Sequence, residues 1–244
     1  PGYVDAGSQI ITTNSFGGTR FRLGRENLEA HVHEFNLAAA RLARAVADAA
    51  DHEVLVAGDI GPSGEIMAPL GTLTPEDAQA AFAEQAAALA EGGVDFFLIE
   101  TMSALEEVEA AIQGIRAVSA LPIAATMTFD TRFRTMMGVK PVQALEALYG
   151  WGLRVIGANC GNGPEEIERV IGEIAAVKPA DVYLIAQSNA GLPKYTQKKI
   201  HYDGTPEVMA GYALKMKALG VKYIGACCGS TPAHIAAMGR ALRA

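Results

Sequence analysis

The chain is poor in the features that mark several large classes of protein. Its 244 residues include three cysteines, one tryptophan and only 7% aromatic residues. Three is an odd number and does not make a secreted disulfide framework. It suits a reducing compartment, where clustered cysteines bind metal or do chemistry. There is no signal-peptide pattern and no apolar run long enough to span a bilayer, so a cytoplasmic protein with no membrane partner is expected. No basic stripe exists: 20 Lys and Arg are interleaved with 27 Asp and Glu, for a net charge of -7, which argues against nucleic acid as a partner. No glycine cluster forms a dinucleotide fingerprint with its ribose-binding acid, and Gly58-Asp59-Ile60-Gly61-Pro62 resembles a phosphate loop only weakly. No Ser-His-Asp context stands out. His31 and His33 fall in or near a helix, where i and i+2 do not share a face. His52, His201 and His234 are scattered, and His234 reads as structural. The sequence starts at Pro1 with no initiator Met, so an upstream end is expected to have been removed.

What is present is a hydrophobic half and a repeated alternation. Short β-rich runs (Ser8–Thr13, Val54–Ala57, Val94–Ile99, Pro122–Met127, Leu153–Gly157, Val182–Ala186 and Val221–Ile224) alternate with Ala-rich amphipathic stretches. Helices are expected at about Leu28–Ala50, Pro75–Glu91, Leu105–Val118, Pro141–Tyr149, Pro164–Ala176, Pro206–Leu219 and Pro232–Leu242, several opened by a capping Thr followed by Pro. Strands apolar on both faces and separated by helices predict an α/β fold with a parallel sheet, as one domain over residues 1–244. An open doubly wound sheet is possible, but a barrel fits better. Asn14, Asp59, Glu100, Asn159, Cys160, Asn189, Cys227 and Cys228 all fall at strand C-termini, which form one rim in a βα barrel. Seven strands are counted where a barrel has eight, so one is missing.

The cysteines stand at two of these strand ends. Cys227 and Cys228 lie in Gly225-Ala226-Cys227-Cys228-Gly229-Ser230-Thr231-Pro232, between an apolar strand and a helix start. Neighbours in a strand point to opposite faces, so both thiols reach one point only if the strand breaks at the pair, which the flanking glycines permit. Cys160 lies in Gly157-Ala158-Asn159-Cys160-Gly161-Asn162-Gly163-Pro164, again a strand end followed by a helix start. Three converging thiolates would make an open zinc site. The plain alternative is three small buried core residues.

These segments resemble the homocysteine S-methyltransferase family. The resemblance is carried by Asn159-Cys160-Gly161, by Gly225 to His234, by Asn189-Ala190-Gly191-Leu192-Pro193, by Gly58 to Pro62 and by Ile99-Glu100-Thr101. It covers essentially the whole chain and implies a (β/α)8 TIM-type barrel with zinc on Cys160, Cys227 and Cys228. It also implies homocysteine as substrate, with Glu100 near the amino group. Asn189 either shapes a turn with Gly191 or serves as a displaceable fourth metal ligand. Asn14 and Phe16 would wall a methyl-donor pocket, and Thr101 follows the key Glu. Asp59 is read as ordering its Gly/Pro-rich loop. Family members usually begin with a strand carrying an Asp-Gly pair. Here the first strand looks like the family's second, so the barrel is expected to lack its first βα unit, and an open edge invites homo-oligomerisation.

The implied chemistry is methyl transfer to the thiol of homocysteine, giving methionine. A thiol of pKa about 8.5 is mostly protonated at neutral pH. Zinc stabilises the thiolate, and three protein ligands leave a fourth position for it. The donor is either betaine or a methylcorrinoid or methylfolate system, the corrinoid carried by a separate protein. Phe16 suits a quaternary ammonium, but Gly17 stands where animal betaine enzymes have Tyr, and Thr101 replaces an aromatic. The stretches Arg134–Gly138 and Ile200–Pro206 resemble short bacterial members often assigned to betaine. Two other readings stay open: a methyltransferase for another thiol or selenol, and a non-catalytic zinc-binding or assembly subunit.

Overall fold

The computed structural model describes residues 1–196 and 199–244. The chain forms two compact units, one of residues 9–125 and one of residues 1–8 with 126–244.

The first unit is built from three parallel strands in chain order. They are β1 (Ile10–Thr12), β2 (Leu55–Ile60) and β3 (Phe96–Met102). Ile11 pairs with Val56, and Asp59 with Leu98. Between β1 and β2 run α2 (Arg20–Gly24), a short 3-10 turn (Glu29–His31) and α3 (Val32–Asp48); α4 (Pro75–Glu91) follows β2, and α5 (Leu105–Val118) follows β3. Thr74 caps α4 by accepting the Asp77 N–H at 3.1 Å, and Pro75 occupies the first turn, where its missing N–H has no cost. Phe82, Leu89, Phe97, Ile99, Ile112 and Ile115 are buried in this unit. Gly58 lies inside β2, where an added Cβ would press on Phe97 and Val94, so this glycine serves close packing rather than strand termination.

Strand β4 (Ile123–Met127) carries the chain into the second unit. Here β5 (Val155–Cys160), β6 (Tyr183–Ser188) and β9 (Tyr223–Ala226) run parallel, with Cys160 level with Ser188 and Ser188 level with Ala226. The helices are α6 (Pro141–Gly150), α7 (Pro164–Ala175), α8 (Pro206–Ala218) and α9 (Pro232–Arg243), together with α1 (Gly2–Asp5), whose Tyr3 hydroxyl donates to the Ser230 carbonyl at 3.0 Å. Leu148, Ile171, Leu184, Met209 and Met216 are buried.

The expected α/β alternation with parallel strands is therefore present. Three features differ from expectation. Strands β2, β3, β5 and β6 continue through the polar residues read as their ends: Asp59, Asn159, Cys160, Gln187 and Ser188 stay in ladder register, and β3 runs on through Glu100 to Met102. Helices α1 and α2 were not foreseen. An antiparallel hairpin, β7 (Lys194–Thr196) with β8 (Lys199–His201), follows β6. No helix among the described residues is long and apolar enough to cross a membrane.

Candidate functional site

In the second unit the three cysteines come together. Strand β5 ends at Cys160, which adopts φ 63°, and Gly161 follows at φ 72°. Two successive left-handed residues turn the chain sharply out of the strand, a conformation rare for a non-glycine residue. Strand β9 stops at Ala226, one residue before the pair, and Gly229 at φ 81° completes the break. As expected, the strand breaks at the pair: the Sγ atoms of Cys227 and Cys228 are 3.9 Å apart, and all three sulfurs lie within 4.8 Å of one another. Cys160 and Cys227 are half-buried and Cys228 is exposed, which argues against three core-filling cysteines.

The sulfurs are held from behind by a backbone lattice. The Cys227 N–H donates to the Ser188 carbonyl at 2.8 Å, and the Ala190 N–H donates to the Cys228 carbonyl at 2.9 Å. Asn189 joins the two cysteine loops: its amide NH2 donates to the Gly161 carbonyl at 2.6 Å, and its Oδ1 accepts the Cys228 N–H at 2.9 Å. Beneath Cys160, the buried Asn159 accepts from Thr126 Oγ1 at 2.8 Å through its side chain and from Thr128 Oγ1 at 3.0 Å through its carbonyl. Glu166 accepts the Asn162 N–H at 2.8 Å and the Asn162 amide at 2.7 Å. His234 is structural, as read: its Nδ1 accepts the Thr231 N–H at 3.0 Å and its Nε2 donates to the Gly204 carbonyl at 2.8 Å. Sequence reasoning missed Thr126, Thr128, Glu166 and Tyr202. The Tyr202 ring lies against Gly229, where any Cβ would collide with it.

The electrostatics of the cluster are those of shared protons. Hydrogen bonds from Cys227, then Cys228, hold the Cys160 thiol far below its ordinary value, and Asn189 adds to this. Cys227 and Cys228 are pushed up, foremost by the same bond to Cys160. Partial burial, followed by the nearby sulfurs, raises the Tyr202 phenol. The three thiols are coupled through these bonds, and a divalent cation bound among them would displace their protons and neutralise the resulting charge.

The donor set fits zinc. Zn–S bonds of about 2.3 Å in a tetrahedron place sulfurs about 3.8 Å apart, and the spacing of Cys227 and Cys228 already matches. Three soft ligands, one of them exposed, describe an open site rather than a closed structural one.

Over residues 2–242 the chain matches the sequence profile of the family described as Homocysteine S-methyltransferase. The chain belongs to that family. It is 30% identical over 245 residues to methionine synthase of Mycobacterium leprae and 31% identical to that of Mycobacterium tuberculosis, covering 96% of this chain in each case. It spans only about 20% of the length of these two relatives. Among solved structures, the metallated form of the homocysteine methyltransferase MmuM from Escherichia coli superposes with a TM-score of 0.79 at 24% identity, covering 100% of this chain and 82% of that one. Its apo form gives a TM-score of 0.73 at 22% identity, covering 98% and 82%. These likenesses establish a shared fold.

The remaining expected site residues belong to the first unit. Asn14 and Phe16 follow β1, Asp59 lies near the end of β2, and Glu100 and Thr101 lie near the end of β3. Thr101 has φ 62°, an outlier for a β-branched residue and a parallel to Cys160 in the other unit. The Gly61–Glu65 loop is not held by the Asp59 carboxylate, contrary to expectation. Glu107 accepts the Ser63 N–H at 2.9 Å and the Ser63 hydroxyl, Arg22 Nε donates to the Pro62 carbonyl at 3.1 Å, and Arg25 donates to the Gly64 carbonyl.

Proposed function

We propose that this chain transfers a methyl group to the thiol of homocysteine, giving methionine, with zinc held by Cys160, Cys227 and Cys228. The observation that carries the reading is the convergence of three sulfurs at zinc-ligand spacing in a member of this family. When bound, zinc supplies a Lewis-acidic centre that keeps a thiol sulfur ionised at neutral pH.

The chain's own residues set the geometry for that chemistry. Left-handed backbone at Cys160 and at Gly229 aims sulfurs from two strand ends at one point. The Asn189 amide fixes the separation of the two loops. A carbonyl oxygen has two lone pairs, and the Cys228 N–H uses one, so Asn189 Oδ1 keeps the capacity to act as a fourth ligand in the substrate-free protein. Glu100 is assigned to the amino group of homocysteine, and Thr101, Asn14 and Phe16 to substrate and donor contacts, in line with the family resemblance. No enzyme-bound covalent intermediate is needed, because the thiolate attacks the methyl carbon directly and the donor leaves with the electron pair.

We read the fold as a TIM-type (β/α)8 architecture that lacks its first βα unit in this chain, and residues 1–244 as one homocysteine-binding domain. The family match from residue 2 to 242 and the likeness to the E. coli structure support this. A reducing cytoplasm would keep the thiols available as ligands. The donor is betaine or a methylcorrinoid or methylfolate system. Likeness to part of methionine synthase favours the second. Zinc-loaded protein supplied with homocysteine and, in turn, betaine, methylcobalamin and methylfolate tests the reading. Methionine formed with one donor supports it. Turnover of other thiols or selenols alone, or bound zinc with no turnover on any donor, overturns it.

A further inference from the structure

Helix α3 carries apolar residues on two faces, and the fold buries only one. Val32, Asn36, Ala40 and Ala47 are buried within the unit. On the other side Phe35, Ala38, Leu42 and Ala45 are exposed, Phe35 at 39% and Leu42 at 70%. Successive members of this row are three, four and three residues apart. That is the alternation of the a and d positions of a heptad, which forms a seam against a second helix. The 3-10 turn before the helix continues the row: Leu28 and His31 are exposed, and the His31 ring stacks on Phe35 with centroids 5.2 Å apart.

The charges beside the seam say how a second helix would lie. In an antiparallel pair, a residues pack on d residues, and g residues face g residues. The g positions are Glu34, Arg41 and Asp48. Two registers are open to two copies of α3. In the first, Phe35 packs on the partner's Ala38 and Leu42 on the partner's His31, and Glu34 faces the partner's Arg41 on both sides of the axis. In the second, Phe35 packs on the partner's Ala45, but Arg41 faces Arg41 and Glu34 faces Asp48. Like charges disfavour the second register, and opposite charges favour the first. The first also sets a large side chain against a small one, so the helices can approach closely. Glu34 and Arg41 make only exposed pairs in their own chain, with His31 at 2.9 Å and Glu91 at 3.8 Å, and such pairs contribute little.

We propose that α3 pairs antiparallel with α3 of a second copy of this chain, about a two-fold axis, through the seam from His31 to Ala45. A surface complementary to itself when reversed is what a two-fold interface requires. The inference is independent of the homocysteine reading, and it concerns a helix face rather than a strand edge. The 17 residues of α3 make a patch about 25 Å long and roughly 10 Å wide. That is smaller than the ~800 Å² per partner of a standard interface, so the dimer is expected to be reversible, with a Kd in the micromolar range.

Sedimentation velocity of the reduced protein, over a concentration series that spans the micromolar range, tests this. The wild type is expected to pass reversibly from monomer to dimer. Ala38→Arg puts a long charged side chain where the partner's Phe35 packs, and should weaken the dimer at least ~10-fold. Glu34→Arg and Arg41→Glu each turn two attractive pairs into two repulsive ones, and should each weaken it about 5-fold. The double variant restores both pairs with their signs exchanged and should dimerise like the wild type. All three positions are exposed, so the monomer fold is expected to persist, and circular dichroism checks it. A monomer at every concentration overturns the proposal and leaves the face to another occupant. A dimer indifferent to Ala38→Arg overturns it as well, because association then uses another surface. If Ala38→Arg does not fold, the charge pair decides alone: a double variant no better than the single ones overturns the proposal.

Discussion

The side-chain oxygen of Asn189 accepts the backbone N–H of Cys228 at 2.9 Å, while the same amide donates to Gly161 at 2.6 Å. One side chain therefore sets the separation of two loops that are far apart in sequence. Asn189→Ala leaves a carbonyl and an N–H unpaired, at about 1–3 kcal/mol for each group if water does not replace the bond. Loss of such an outer brace weakens metal binding by ~10–100-fold in other sites. Zinc competition against a chromophoric chelator should show a drop of that order, with zinc still bound at saturation.

Removal of a ligand has a larger effect than removal of the brace. Cys228→Ala is expected to lose both zinc retention and methyl transfer, because two thiolates do not make the site. Elemental analysis after mild chelation and a methionine assay check this together. A variant that keeps full zinc and full activity would falsify the ligand assignment.

Gly229 joins the metal loop to Tyr202. Its φ of 81° disfavours any side chain, and a Cβ would strike the Tyr202 ring. Gly229→Ala should cost at least ~1–2 kcal/mol from backbone conformation alone, plus the displacement of the ring. Tyr202→Ala in the same chain should recover the second part but not the first. Thermal melts of the single and double variants separate the two.

Asp59 makes stability depend on pH. In the unfolded chain its carboxyl titrates in the ordinary carboxylate range; in the fold, burial and then Glu100 raise it well above that. The folded state therefore binds more protons between those two values, and stability falls as pH rises through that window. Asp59→Asn removes this slope. Its melting temperature relative to wild type should be higher at pH 8 than at pH 5. A difference that does not change with pH would contradict the assignment.

The sequence was most informative where local chemistry decides structure. The starts at Pro75, Pro141, Pro164, Pro206 and Pro232 were read correctly, because proline at the first helical position and a preceding break act within a few residues. The cysteine site was legible for a similar reason: glycines flanking a strand-end pair permit one geometry. Polar residues at Asp59, Glu100 and Asn159 signal strand ends in the sequence, yet the strands run on through them. The hairpin of β7 and β8 carries no apolar alternation to announce it. Neither Asn189 as a bridge nor the burial of Asp59 was visible, since both depend on partners between 28 and 46 residues away.

X-ray absorption at the zinc edge, before and after homocysteine is added to the reduced, zinc-loaded protein, tests the central claim most directly. The account predicts about one zinc per chain on three sulfurs, with a fourth sulfur appearing on addition of homocysteine. A chain that takes up no zinc with its thiols reduced, or whose zinc keeps three sulfurs in saturating homocysteine, would contradict it.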